Sequence, residues 1–147
     1  MAYEFQVAID CERPHELADW WAETLGWNVE QQDEDFIRRM IAEGYATDQD
    51  TTRHHGKLVW QDGAAIRHPD AAGGLGHWPR VLFQQVPEPK TVKNRTHLDV
   101  RIGDGDLESV VASLTGRGAS ELHRAQQGPH LWVTMADPEG NEFCVSK

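Results

Sequence analysis

From Tyr3 to Ile9 the chain alternates. Phe5, Val7 and Ile9 share one side, and Glu4, Gln6, Ala8 and then Asp10 share the other, the period of a half-buried strand. Pro14 suits the first turn of a helix, and Leu17, Trp20, Trp21 and Leu25 recur at helical spacing up to Gly26, a natural stop. A short strand around Trp27 to Glu30 follows. Asp33 to Glu43 predicts a second, acid-capped helix with Phe36, Ile37, Met40 and Ile41 as its apolar stripe. Thr47 to Gly56 is polar and reads as loop. Lys57 to Trp60 and Ala64 to Arg67 flank Gln61-Asp62-Gly63, whose Asp-Gly favours a tight hairpin turn. His68 to Trp78, rich in Gly and Ala, reads as loop and Arg80 to Val86 as strand. Pro87-Glu88-Pro89-Lys90 breaks that strand and reads as a linker.

The second half repeats the order. Arg95 to Ile102 is strand-like; Asp104 or Asp106 caps a helix carrying Leu107, Val110, Val111 and Leu114, which ends at Gly116 and Gly118. Ala119 to His123 is a short strand. His130 to Ala136 and Glu142 to Ser146 flank Asp137-Pro138-Glu139-Gly140-Asn141, turn chemistry throughout. Strand, helix and three strands thus occur twice, giving an α+β chain of two tandem βαβββ modules. We expect a single domain over 1–147: module one at 1–86 with an insertion at about 33–78, a linker at 87–94, and module two at 95–147.

Composition narrows the partners. The formal charge is −10, so a phosphate backbone or an anionic membrane is a poor match, and a cationic ligand is favoured over an anionic one. The cluster Lys90, Lys93 and Arg95 reads as solvated linker. No apolar run approaches the roughly 20 residues that cross a bilayer, and Met1 to Phe5 has no signal-peptide character. Cys11 and Cys144, the two cysteines, stand far apart outside any Cys-x-x-Cys arrangement, which fits a reducing, cytoplasmic setting. Six tryptophans in 147 residues suggest that some line an apolar pocket.

Three strands each set a polar row against an apolar one. His97, Asp99 and Arg101 oppose Leu98, Val100 and Ile102; Gln6, Ala8 and Asp10 oppose Val7 and Ile9; Glu142, Cys144 and Ser146 oppose Phe143 and Val145. Such rows either wall a polar pocket or face water. His54 and His55 are adjacent, so their side chains should project differently into solvent. His68 and His77 flank the Ala-Gly loop and read as loop polar groups, with a lid the alternative. Gly73-Gly74-Leu75-Gly76 lacks the lysine and the strand–helix context of a phosphate loop. Trp60 and Trp132 sit at similar places in the two modules, as core or as stacking surfaces for a ligand.

Asp137-Pro138-Glu139-Gly140-Asn141-Glu142-Phe143 is similar to the closing hairpin of glyoxalase I, bleomycin-resistance and extradiol-dioxygenase proteins. Asn94-Arg95-Thr96-His97-Leu98-Asp99-Val100 resembles the strand opening their second module, and Phe5 to Trp27 their first strand and helix. On these segments the chain resembles a glyoxalase-like protein of the vicinal-oxygen-chelate superfamily. The resemblance implies curved, barrel-like mixed sheets with helices outside and a ligand, sometimes a metal, within; relatives often pair as homodimers.

Metal-dependent relatives place four ligands on the first and last strands of the modules. The matching positions here are Gln6, Gln84 or Gln85 (which point to opposite faces), His97, and Cys144 in place of the usual Glu. Hard divalent ions want imidazole and carboxylate donors, so no cofactor is favoured; a divalent metal, if bound, would use Gln6, His97 and Cys144. The expectation is a protein that binds a small organic molecule, either sequestering it or acting on it without a metal through His97 as catalytic group. Gln6, Gln84, Asp99, Arg101, Trp60, Trp132 and Cys144 would contact the ligand. The alternative is a divalent-metal-dependent lyase, isomerase or dioxygenase of glyoxalase I type.

Overall fold

The computed structural model describes residues 1, 3–71 and 79–147. The chain divides into two compact units, Met1–Pro89 and Lys90–Lys147.

In the first unit, β1 (Val7–Cys11), β2 (Asn28–Val29), β5 (Gly63–Arg67) and β6 (Arg80–Gln85) form a sheet of order β1-β6-β5-β2, with β1 and β6 parallel. Alternation puts Val7, Ile9, Val81, Phe83, Ala64 and Ile66 on the face that α1 (Pro14–Leu25) covers. Pro14 opens α1, and Gly26 closes it in the left-handed region at φ 67°. Leu17, Ala18, Trp21 and Ala22 form its buried stripe; Trp21, Phe83 and Ile66 are almost fully excluded from water. Truncating a buried aromatic such as Phe83 to Ala would cost about 3–5 kcal/mol.

Between β2 and β5 the chain inserts α2 (Glu34–Ala42), a 3₁₀ turn (Asp48–Asp50), and a hairpin of β3 (Thr51–His54) and β4 (Lys57–Trp60). Asp33 caps α2 by accepting the Phe36 N–H at 3.1 Å. Of the expected stripe only Ile37 is buried, and Phe36 is exposed.

The second unit repeats the plan without the insertion. Strands β7 (Leu98–Arg101), β8 (Ser120–Gln127), β9 (His130–Ala136) and β10 (Glu142–Ser146) form the order β7-β10-β9-β8, again with first and last strands parallel. Helix α3 (Leu107–Gly116), capped by Asp106 on the Ser109 N–H, buries Leu107, Val111 and Leu114. Phe143, Val145, Val133 and Met135 are fully buried on the apolar face of this sheet. The turn before β10 is held by Asp137, whose Oδ1 accepts the Glu139 and Asn141 N–H groups at 2.9 and 3.0 Å. Each sheet is mixed and, within its unit, open at both edges rather than closed into a barrel.

Several expectations are corrected. The first strand begins at Val7 instead of Tyr3, and Phe5 is 70% exposed. The polar stretch from Thr47 is not all loop: β3 lies within it, recruited by backbone bonds to β4, not by an apolar face. The hairpin expected across Asp62-Gly63 does not form. A two-residue primed turn needs positive φ at both central residues, and His55 (48°) and Gly56 (78°) supply it between β3 and β4, whereas Gly63 has none. Gln32 takes the backbone groups left at the crossover, accepting from Trp60 N at 2.7 Å and donating to Gly63 O at 2.9 Å. Strand β8 runs to Gln127, past His123. Lys90 is no solvated linker residue; its Nζ donates to Glu142 at 2.8 Å with both side chains largely buried. Gly73 to Gly76, His77 and Trp78 lie outside the described residues. Among those described, no helix is long and apolar enough to cross a membrane.

Candidate functional site

The parallel pairing of β1 with β6 resolves which glutamine shares the face of Gln6. Val7 pairs with Val81 and Asp10 with Gln84, so Gln84 stands with Gln6, Ala8, Asp10, Arg80 and Leu82 on the side away from α1, and Gln85 on the other. Register across β5 and β2 adds Arg67, Asn28 and Glu30 to that polar side.

One end of this face is an ion network that the sequence reading missed. Glu30 accepts from Arg67 Nε and Nη2 at 3.1 and 2.8 Å and from Arg80 Nε and Nη2 at 3.0 and 3.0 Å. Arg80 Nη1 also donates to Gln6 Oε1 at 2.7 Å. The three charged side chains are only 10–18% exposed. Two guanidiniums thus meet on one carboxylate, in a chain that as a whole is acidic. The only signal available beforehand was positional: Glu30, Arg67 and Arg80 flank short strands, and nothing in their spacing says that those strands are neighbours.

The second sheet carries a different chemistry. Cys144 pairs with Asp99 and Thr134, and Ser146 with Arg101 and Trp132, which places Asp99, Arg101, Cys144, Thr134 and Trp132 on the side opposite Phe143 and Val145. His97 Nε2 lies 3.4 Å from Asp99 Oδ1. The Cys144 thiol is buried and shares a hydrogen bond with Thr134 Oγ1 at 3.4 Å. His97, Asp99 and Cys144 each offer a ligand atom within 4.8 Å of the others. The structure therefore brings His97, Asp99 and Cys144 together in one unit, and Gln6 with Gln84 on one face of the other.

Trp60 is not the counterpart of Trp132. It stands on the inserted β4, whereas Trp132 lies on β9, whose topological equivalent in the first unit is β5. The Trp60 carbonyl is bound by His15 Nε2 at 2.6 Å. His68 packs edge-on against Trp27, with ring centroids 5.5 Å apart. His54 and His55 do not diverge: both Nε2 atoms reach Asp19 Oδ2, at 2.6 and 2.7 Å, with His54 half-buried and His55 still exposed. The left-handed backbone at His55 turns its ring back beside that of His54, defeating the alternation expected of neighbouring residues.

Two βαβββ units with parallel first and last strands define a vicinal-oxygen-chelate fold. A family model described as a glyoxalase-like domain matches residues 6–146, and the chain belongs to that family. Among solved structures, a fosfomycin resistance protein from Mesorhizobium loti is similar at TM-score 0.59 and 9% identity, covering 100% of this chain and 93% of its own. A glyoxalase family protein from Bacillus cereus is similar at TM-score 0.56 and 17% identity, covering 99% and 93%. A glyoxalase/bleomycin resistance protein/dioxygenase superfamily member from Sphaerobacter thermophilus gives 0.55 and 14%, covering 99% and 97%. At these identities the likeness is one of fold. No curated protein matches the chain.

The first-unit half of the family's metal pattern does not fit a dication. The oxygen with which Gln6 would ligate already accepts from Arg80, which shares the Glu30 carboxylate with a second guanidinium, that of Arg67. A positive neighbour opposes a positive ion, and a neutral amide offers little to offset it.

Proposed function

We propose that this glyoxalase-like protein binds a small organic molecule bearing an oxyanion or carbonyl acceptor on the polar face of its first sheet, without a metal there. One observation carries the reading: Arg80 is 15% exposed and, among the described residues, three of its N–H groups are spent, on Glu30 and Gln6. A guanidinium has five such groups, so donors remain for an acceptor where water is scarce and charge-assisted bonds are strong. Gln6 and Gln84 supply amide contacts along the same face. The spare guanidinium donors of Arg80 favour an anionic group over the cationic ligand that whole-chain charge suggests. His97 is the proposed acid–base group if the bound molecule is transformed, with Asp99, Arg101, Trp132 and Cys144 beside it; otherwise the protein sequesters its ligand.

A thermal-shift screen of small carboxylates, phosphonates, amines and neutral aromatics, run with a chelator present, tests this, because a ligand selective for the native state raises the melting temperature. Anionic compounds should stabilise the wild type and lose that effect in Arg80→Gln. Stabilisation by amines alone, or by anions equally in Arg80→Gln, would overturn it. The second reading, divalent-metal chemistry, draws its support from the His97–Asp99–Cys144 group, which has a borderline metal's donor set but only three protein donors among the described residues. It predicts a stoichiometric ion removed by His97→Ala.

A further inference from the structure

We propose that Asp19, His54 and His55 form a binding site for a borderline first-row dication, with Zn²⁺ as the reference ion, between α1 and the β3–β4 hairpin. The three donor atoms lie within 4.8 Å of one another, and both imidazole Nε2 atoms already converge on one carboxylate oxygen. Tetrahedral zinc with bonds of about 2.0–2.1 Å separates its ligand atoms by roughly 3.4 Å. Opening the present 2.6 and 2.7 Å contacts to that spacing needs less than about 1 Å of side-chain movement. Each imidazole then presents its Nε2 lone pair, with its proton carried on Nδ1, and Asp19 supplies the negative charge.

The surroundings support the arrangement. His55 is the one non-glycine residue with positive φ among those described, and that conformation sets its ring 4.0 Å from the ring of His54. His15 lies one turn before Asp19 on α1, stacks 5.2 Å from His54 and is anchored on the Trp60 carbonyl, so it braces the cluster without entering it. Side-chain exposures of 21%, 76% and 35% for His54, His55 and Asp19 leave a path for the ion and room for water in the remaining coordination positions. Two imidazoles and one carboxylate suit Zn²⁺, Co²⁺ or Ni²⁺ better than Mg²⁺ or Ca²⁺. Neither Gln6 nor His97 takes part, so this site is separate from both sheet faces.

The test is calorimetric titration of Zn²⁺ into the full, untagged chain after chelator treatment, with Co²⁺ absorption as a second probe. The wild type should bind one Zn²⁺ through these residues. His54→Ala and Asp19→Asn should each weaken it by at least about 100-fold, since even outer-shell losses cost 10–100-fold. Cys144→Ser should leave that event intact, and the Co²⁺ adduct formed by His97→Ala should show no thiolate charge-transfer band. Asp19→Asn keeps a hydrogen-bond acceptor for both rings, so it remains informative if His54→Ala fails to fold. No Zn²⁺ binding, binding unchanged in Asp19→Asn, or a sole ion lost in Cys144→Ser would overturn the proposal.

Discussion

Replacing Glu30 by Gln removes one negative charge from between two arginines and leaves everything else nearly isosteric. The carboxylate accepts four guanidinium bonds of 2.8–3.1 Å at 10% exposure, so its loss removes the counter-charge that two largely buried cations share. Hydrogen bonds to charged groups contribute about 1.5–3 kcal/mol each, but four cannot be summed, because desolvation of the ions offsets much of the gain. Breaking a buried ion pair costs about 3–5 kcal/mol, and that is the expected loss here. For a chain of this length each kcal/mol lowers the melting temperature by about 2–4 °C, so a fall of about 6–20 °C should appear. Urea unfolding followed by tryptophan fluorescence gives the free energy directly. The double variant Glu30→Gln/Arg67→Met should recover part of the loss by removing one of the two like charges. A loss below about 1 kcal/mol, the value of an exposed pair, would refute the claim that this network is a dry, coupled unit.

Other outcomes follow from the same geometry. Gly26→Ala should cost about 1–2 kcal/mol in thermal melts, because φ is 67° and, among the described residues beyond its chain neighbours, no atom lies within 4 Å of the new methyl, which points to backbone strain as the cause. Gly116→Ala, equally open but at the end of α3 without positive φ, should instead stabilise by about 0.5–1 kcal/mol. Asp137→Ala removes the acceptor of one buried and one half-buried turn N–H group and should cost about 1–3 kcal/mol, whereas Asp137→Asn keeps an acceptor and should cost less. Burial alone would raise the Glu142 carboxyl, but the bonds from Lys90 and the Asn94 N–H win and hold it below its ordinary 4.5. A lowered folded value stabilises above 4.5 and is lost as pH falls through it. The stability difference between wild type and Lys90→Met should therefore be full near neutrality and shrink on acidification, as read by urea midpoints across that range.

What the sequence made legible was whatever rests on local period and turn chemistry. Pro14, Gly26 and the Leu17–Trp21 stripe define α1, and Asp106 with Val111 and Leu114 defines α3, because caps and helical spacing are short-range. The βαβββ repeat could be read from element order alone. The β3–β4 hairpin could not, because Thr51 to His54 has no apolar face to betray it and pairs through backbone. Its turn was hidden too: His-Gly adopts the conformation that Asn-Gly would advertise. The site was half legible. Alternation placed His97, Asp99 and Cys144 on one side, but choosing between Gln84 and Gln85 required knowing that β1 pairs with β6 from Val7↔Val81 onward. Long-range register is what converts a row of residues into a site.

Register also explains why family membership says less here about chemistry than about shape. The fold brings the first and last strands of each unit side by side, so whatever occupies those strands meets on one face. In the first unit that meeting joins Gln6 to Arg80 and, through Glu30, to Arg67. In the second unit the same strand positions bring an imidazole and a carboxylate to a buried thiol. The third set joins Asp19 of α1 to His54 and His55, which lie on an inserted hairpin that the second unit lacks altogether. Metal affinity tracks donor type and local charge, neither of which the strand order constrains. A chain can thus keep the fold while the side chains that its strands and an added hairpin bring together change in kind.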